Sequence, residues 1–358
     1  MKCHASSWTR AASEPSRPSR DVSPFPTRFV NLGAARAAHG DQVDRVGAFL
    51  WKGDPLADRV VEAMANLGKG EGMALLDRGL AEGLSSVPEA PEALRELLEE
   101  AWHVPAWVSQ KALARGGELL FRTGWFGGLA LGLSLLIGYA SPGGNKPLAM
   151  SGRLSEQAPR RLVETSRFVQ ATCAPYGLSK GGAGLRISVR VRLMHAQVRR
   201  MILGSGRWDA QAWGLPINQH DMAGTSLLFS LAPIESLRTL GFSFDPEEVH
   251  LYMQLFRYSG YLMGVDPELL PTSEMEGHQL KDIITATEGP PDDDSRNLTR
   301  ALMEAGPRKH GKTAKARARA ERVARVGEGV IRSVIGDEMA DGLGIPKTPY
   351  RHVIHPIR

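Results

Sequence analysis

Apolar side chains recur at intervals of three and four residues through almost the whole chain, a spacing that stacks them along one side of an α-helix. Leu56, Val60, Met64 and Leu67 form one such row, and Leu94, Leu97, Leu98 and Ala101 form another. The punctuation agrees with this. Asp54-Pro55 is a start signal, because aspartate caps the free N–H groups of a first turn and proline fits inside it. Pro91 opens the second row. Further rows predict helices over about 124–140, 159–173, 187–203, 219–230, 246–262, 275–287, 294–305 and 314–335. Strand-like alternation is confined to Arg186–Arg192, where helical spacing fits equally well, and there is no internal repeat of useful period. An all-α fold follows. Breaks are expected at Pro142-Gly143-Gly144 with Pro147, and at the connector from Gly177 to Gly184.

Hydrophobic residues make up 42% of the 358, enough for a sizeable core. The formal charge of +5 is carried by the two ends. Residues 1–28 hold a net +3 and residues 308–325 a net +7, which leaves the remainder at −5. Nucleic acid is therefore not an expected partner of the body. Residues 1–25, rich in Ser, Pro and Arg and lacking an apolar run, read as a disordered tail and not as a secretory leader. Residues 26–306 read as one helical domain, and 307–358 as a basic amphipathic helix and tail. In that last helix Val323, Val326, Val330, Ile331, Val334 and Ile335 share a face, which suits docking on the body or lying on an anionic membrane surface. A cytoplasmic protein with optional peripheral membrane contact is expected.

Thr123 to Asn145 contains no charged residue and approaches the roughly 20 residues that cross a bilayer. Its glycines at 124, 127, 128, 132 and 138 dilute the hydrophobicity, which favours a buried core helix. Asp292-Asp293-Asp294 lacks the spacing of a metal motif and fits a helix amino terminus. Lys180-Gly181-Gly182-Ala183-Gly184 is too short for a phosphate loop. Cys3 and Cys173 form neither a disulfide framework nor a zinc pattern.

The candidate chemistry centres on His195. Ile187, Val191, Met194, His195, Val198 and Ile202 fall on one helical stripe, with Arg190, Arg192, Arg199 and Arg200 expected mostly off it. An imidazole facing a core needs a partner, either a backbone carbonyl or a metal. No second histidine or carboxylate stands three or four residues away, so a site with several protein ligands is disfavoured. A haem needs only one axial ligand, since the porphyrin supplies four. On the preceding helix Arg161 and Thr165 are four apart and share a face. Arg161 suits a propionate or a polar substrate group, and Thr165 suits a hydrogen bond to O2 or water. Glu164 beside them is either a base or an exposed helix glutamate.

These blocks resemble the MpaB-type and latex clearing protein family, helical haem b rubber oxygenases and their relatives. The densest stretches are Arg161-Leu162-Val163-Glu164-Thr165, then Val191 through Arg199, and Trp213-Gly214-Leu215-Pro216-Ile217-Asn218-Gln219. Thr225, Leu237-Arg238 to Gly241, and Tyr258 to Val265 leading into Leu269-Leu270-Pro271 follow in order. The similar text runs from Gly53-Asp54-Pro55 to about Pro271. The resemblance implies a globin-like helical core and haem b ligated by His195. Arg161 and Thr165 stand on the upstream helix at the family's spacing. It also implies O2-dependent cleavage of carbon–carbon double bonds in a hydrophobic, isoprenoid-like substrate. A haem-binding sensor or carrier without turnover would use the same residues. Two positions depart from the pattern. Glu164 stands where latex clearing proteins carry a lysine, and Asn145-Lys146 stand near the place of their proposed glutamate base. A smaller hydrophobic substrate than polyisoprene is therefore expected.

Overall fold

A computed structural model describes residues 24–150, 154–304 and 313–350. The expected tail, as far as residue 23, lies outside the described residues, as do 305–312 and 351–358 of the basic end. Among the described residues there is no strand. The helices run in order as α1 (Leu32–His39), α2 (Gln42–Ala48), α3 (Pro55–Ala65), α4 (Glu71–Glu82), α5 (Glu92–Trp102) and α6 (Gln110–Arg122). Then come α7 (Trp125–Tyr139), α8 (Pro142–Ala149), α9 (Leu154–Cys173), α10 (Ala183–Gly204), α11 (Ala210–Trp213) and α12 (Gln219–Thr239). The chain closes with α13 (Pro246–Leu262), α14 (Glu274–Thr287), α15 (Asp293–Glu304), α16 (Ala314–Ile335) and α17 (Asp337–Gly342).

The helices form where the spacing demands, and their apolar rows face inward. Leu94, Leu97, Leu98 and Ala101 of α5 are all buried, and each leucine is worth about 2 kcal/mol in area removed from water. Asp54 caps α3 by accepting the Ala57 N–H at 3.1 Å, with Pro55 in the first turn. Phe25, in the segment read as a tail, is buried, and Pro24 O accepts the Trp51 indole N–H.

Two hydrophobic clusters divide the interior. The larger runs from Phe25 to Ile283 and includes Leu50, Leu97, Tyr252 and Tyr258. The smaller joins Leu133, Leu136 and Tyr139 of α7 to Leu298 of α15, Ile331 of α16, and Ala340, Leu343 and Ile345 around α17. Helix α12 packs along α7 and α13, so α7 is a core helix flanked by both clusters. No single helix among the described residues is long and apolar enough to cross a membrane; α6 and α7 meet that test only together, bent by 95°. α6 lies close against its neighbours because it has glycines at the crossings. A Cβ on Gly116 would come within 3.0 Å of the Leu251 backbone, and one on Gly117 within 3.0 Å of the Cys173 backbone.

Three expectations need correction. Pro142-Gly143-Gly144 does not break the chain but begins α8. Ser141 accepts the Gly144 N–H at 3.2 Å and Pro142 occupies the first turn, so the break falls one residue earlier. α9 starts at Leu154, five residues before Pro159, and α10 at Ala183, taking in the ambiguous Arg186–Arg192. The acidic run at 292–294 does sit at a helix start. Asp292 accepts the Ser295 N–H, and Asp292 and Asp294 also clasp Lys146 of α8 at 2.8 and 2.5 Å.

Candidate functional site

α9 and α10 pack against each other across the loop at 174–182. The loop is glycine-rich because its backbone folds back on itself. A Cβ on Gly177 or Gly184 would meet Ala171 O within 3.0 Å, and one on Gly182 would meet Gly177 O. Leu185 N donates to Gly177 O at 3.0 Å and starts α10 from that turn.

On α9, Phe168, Val169 and Cys173 face the core. Arg161 and Thr165 are half-buried, one turn apart on the Phe168 side. Arg161 makes no ion pair with any described residue. It lies close enough to Tyr139 to oppose the rise that burial imposes on the phenol's pKa, which brings the end of α7 to the site. Thr165 donates to no described residue, whereas Ser166, Ser188 and Thr225 each donate to the carbonyl four residues back. Glu164 turns outward, 52% exposed, and pairs with Arg160 at 2.7 Å. Asn145 is buried and donates to Tyr139 O and Ser295 Oγ, while Lys146 is held by Asp292 and Asp294, so neither offers a base.

The stripe on α10 is rotated from its expected setting. Arg192 and Arg199 belong to the buried face with Leu193 and Ala196, and Met194 is 48% exposed. Helix arithmetic accounts for this, since 192 and 199 stand three before and four after His195. Burial is possible because each guanidinium finds acids. Arg192 Nε and Nη2 meet Asp54 at 2.6 and 3.1 Å, and Nη1 meets Glu100 at 2.7 Å. Arg199 Nε meets Asp58 at 3.0 Å and Nη1 donates to Ile217 O at 2.8 Å. Gly264, at φ +78°, passes so near that a Cβ would strike Asp54 and Arg192. Gln219 Nε2 donates to Gly53 O and Gly264 O, and its Oε1 accepts from Asp266 N. This polar clasp ties α3, α10, α12 and the end of α13 together beside His195.

The His195 ring is half-buried, and its Nδ1 is fully buried without a hydrogen-bond partner. Burial and the Arg199 charge push its pKa down to about 4, against a smaller opposing pull from Asp54. The imidazole is therefore neutral at pH 7, as a metal ligand must be. No group of three or more His, Cys, Asp or Glu that could hold a metal ion exists among the described residues. A second buried imidazole went unnoticed in the sequence. His220 in the first turn of α12 has Nδ1 3.3 Å from Asp221 Oδ1 and a buried, unpartnered Nε2. Asp221 in turn meets Arg28 at 2.5 Å, and Arg28 and His220 hold its pKa down at about 2 against the effect of burial. Adjacency of His220 to an acid was the only available signal.

Residues 118–356 match a family described as ER-bound oxygenase mpaB/B′/rubber oxygenase, catalytic domain. That match begins later and extends further than the stretch from Gly53 to Pro271. The rubber oxygenase of Streptomyces sp. (strain K30) is 24% identical over 241 residues, covering 66% of this chain. The match takes in 58% of that curated relative, so the chain spans less than two thirds of its length. Among solved structures, latex clearing protein LCP in the closed state superposes with a TM-score of 0.69 at 22% identity, over 85% of this chain and 81% of that one. The likeness is one of fold.

Proposed function

The chain belongs to the ER-bound oxygenase mpaB/B′/rubber oxygenase family, and from that premise we propose that it holds haem b through His195 and acts with O2 on a hydrophobic, isoprenoid-like substrate. The carrying observation is the His195 imidazole, whose Nδ1 is buried without a partner. A lone imidazole of that kind suits a cofactor that brings its other four ligands with it. The donor set fits the group.

When bound, the haem supplies the iron at which O2 chemistry takes place. The chain's own residues do the rest. The clasp of Arg192, Asp54, Arg199 and Gln219 fixes α10 and so the direction of the His195 ring. Arg161, a half-buried cation without an acid partner, suits a propionate or a polar group of the substrate. Thr165 has a hydroxyl proton free for water or an oxygen-bearing ligand. Glu164, paired with Arg160 on the outside, takes no part in proton transfer. With Glu164 in the lysine's place, a haem held by His195 would meet no lysine from this position of α9.

Absorption spectra of the purified protein test this reading. Wild type is expected to show a Soret band at about 400–420 nm, His195→Ala to lose it, and His220→Ala to keep it. Absence of haem in the wild type after haem-supplemented expression overturns the proposal. Full haem in His195→Ala, with loss in His220→Ala, moves the ligand to α12. Product analysis with a terpene or fatty alkene under O2 separates an oxygenase from a carrier.

We place the protein in the cytoplasm with peripheral membrane contact. The supporting feature is α16, whose carboxy-terminal half docks through Gly329, Ile331 and Arg332 while Lys315, Arg317, Arg319, Arg322 and Arg325 remain exposed. Cosedimentation with anionic liposomes at low and high salt tests this, and binding absent at both removes it.

A further inference from the structure

Arg257, like Arg161, is an arginine partly withdrawn from solvent without an acid partner. Arg28, Arg192, Arg199 and Arg332 each pair with a carboxylate, as charges removed from water must. Arg257 of α13 is half-buried and makes no ion pair with any described residue. Its Nε is fully buried without a hydrogen-bond partner, and its one polar side-chain contact is Gln254 Oε1 at 3.5 Å. Glu276, the acid whose charge reaches it, is engaged by the N–H and hydroxyl of Thr272 at 2.7 and 2.8 Å. The guanidinium lies instead over the Trp107 ring, 4.1 Å from its centroid.

This arginine borders a cavity of about 170 Å³, lined also by His103, Trp107, Tyr261, Pro267 and Leu270. Trp107, one of its walls, is 39% exposed. The Tyr261 hydroxyl makes no hydrogen bond to any described residue, so the cavity offers the Arg257 cation, that hydroxyl and the His103 imidazole against apolar walls. Its volume is close to the roughly 150 Å³ that accommodates a benzene-sized molecule. We propose that the cavity binds a small carboxylate with a flat apolar body, the carboxylate on Arg257 and Tyr261 and the body against Trp107 and Leu270. A phosphate would leave the apolar wall unused and would find a single permanent cation. None of these residues takes part in the His195 site, so the inference stands independently of haem binding.

The test is ¹⁹F NMR on the full chain with 4-fluorobenzoate, its neutral isostere 4-fluorobenzamide, and inorganic phosphate as competitor. Saturable fluorobenzoate binding is expected, with the amide at least about tenfold weaker and no displacement by phosphate. Arg257→Gln should weaken fluorobenzoate about tenfold at an unchanged melting temperature. Trp107→Leu provides a second loss-of-binding variant should Arg257→Gln fold poorly. His195→Ala should bind equally well, which separates this site from carboxylate binding at an iron. Equal affinity for acid and amide, undiminished binding by Arg257→Gln, or no saturation up to about 20 mM would overturn the assignment. Displacement by phosphate would do so too, since it would mark a general anion site.

Discussion

Removing the Asp54 carboxylate is expected to destabilise the fold more than any other cap substitution in the chain. Asp54 is 4% exposed and Arg192 6%, so breaking their bidentate pair leaves a guanidinium largely out of water. Loss of one partner of a buried pair costs about 3–5 kcal/mol. Glu100, a third exposed, still holds Arg192 Nη1, which places the cost at the lower end. Asp54→Ala also forfeits the cap on Ala57 N, worth about 1 kcal/mol. The total is about 4 kcal/mol, or roughly 5 °C in melting temperature for a domain of this size. Asp54→Asn keeps the cap acceptor and should cost about 2–3 kcal/mol. Asp209→Ala is the control, because Asp209 caps α11 through Ala212 N at 3.0 Å and carries no buried partner. Thermal and urea unfolding followed by far-ultraviolet circular dichroism would measure all three. If Asp54→Ala costs no more than Asp209→Ala, about 1 kcal/mol, the clasp beside His195 contributes nothing beyond a cap. A double-mutant cycle of Asp54→Asn with Arg192→Gln should then show coupling near zero instead of about 2 kcal/mol.

Four further outcomes follow from named contacts. In the haem-free protein, burial lowers the His195 imidazole from its unfolded value near 6.5 to about 4, so below pH 6.5 the unfolded state takes a proton that the native state refuses. Stability should be undiminished above pH 7 and fall by about 3 kcal/mol between pH 6.5 and 4, a slope that His195→Phe removes from melting curves recorded across that range. Gly116→Ala and Gly117→Ala should each cost about 3 kcal/mol in urea unfolding, since the added methyl meets backbone that cannot move aside. Gly128→Ala, with nothing within 4 Å, should gain about 0.5–1 kcal/mol; a loss there would place another surface against α7. Glu164→Gln should leave turnover within about twofold, whereas a hundredfold loss would return Glu164 to the reacting groups.

What could be read in advance was local. The helices, the Asp54 cap and the inward faces of α3 and α5 depend on residues within a turn or two of one another, and there the pattern was sufficient. Arg192 and Arg199 were misplaced because a hydrophobic pattern sets every arginine outside. Their partners Asp54 and Asp58 lie 138 and 141 residues away, so no local signal reports them. Pro142-Gly143-Gly144 looked like a break because both residue types end helices, yet a serine before a proline is also how one begins. Gly116 and Gly117 passed unremarked, since what requires them is the backbone of α13 and α9. At the site, helical spacing alone put Arg161 beside Thr165, while the metal reading of His195 leaned on family resemblance. The buried, unpartnered nitrogen that now supports it is a property of packing.

The smaller hydrophobic cluster sets the order in which this chain can be finished. Leu133, Leu136 and Tyr139 are covered by residues as late as Ile331 and Ile345, about two hundred positions downstream. At a synthesis rate of roughly 5–20 residues per second, that face of α7 waits about 10–40 s after it is made before its cover exists. Tyr139 also neighbours Arg161, so one wall of the site closes only after these later helices have been made. A nascent chain that has passed α15 carries every candidate haem residue and still presents an open apolar flank to whatever holds it until α17 arrives.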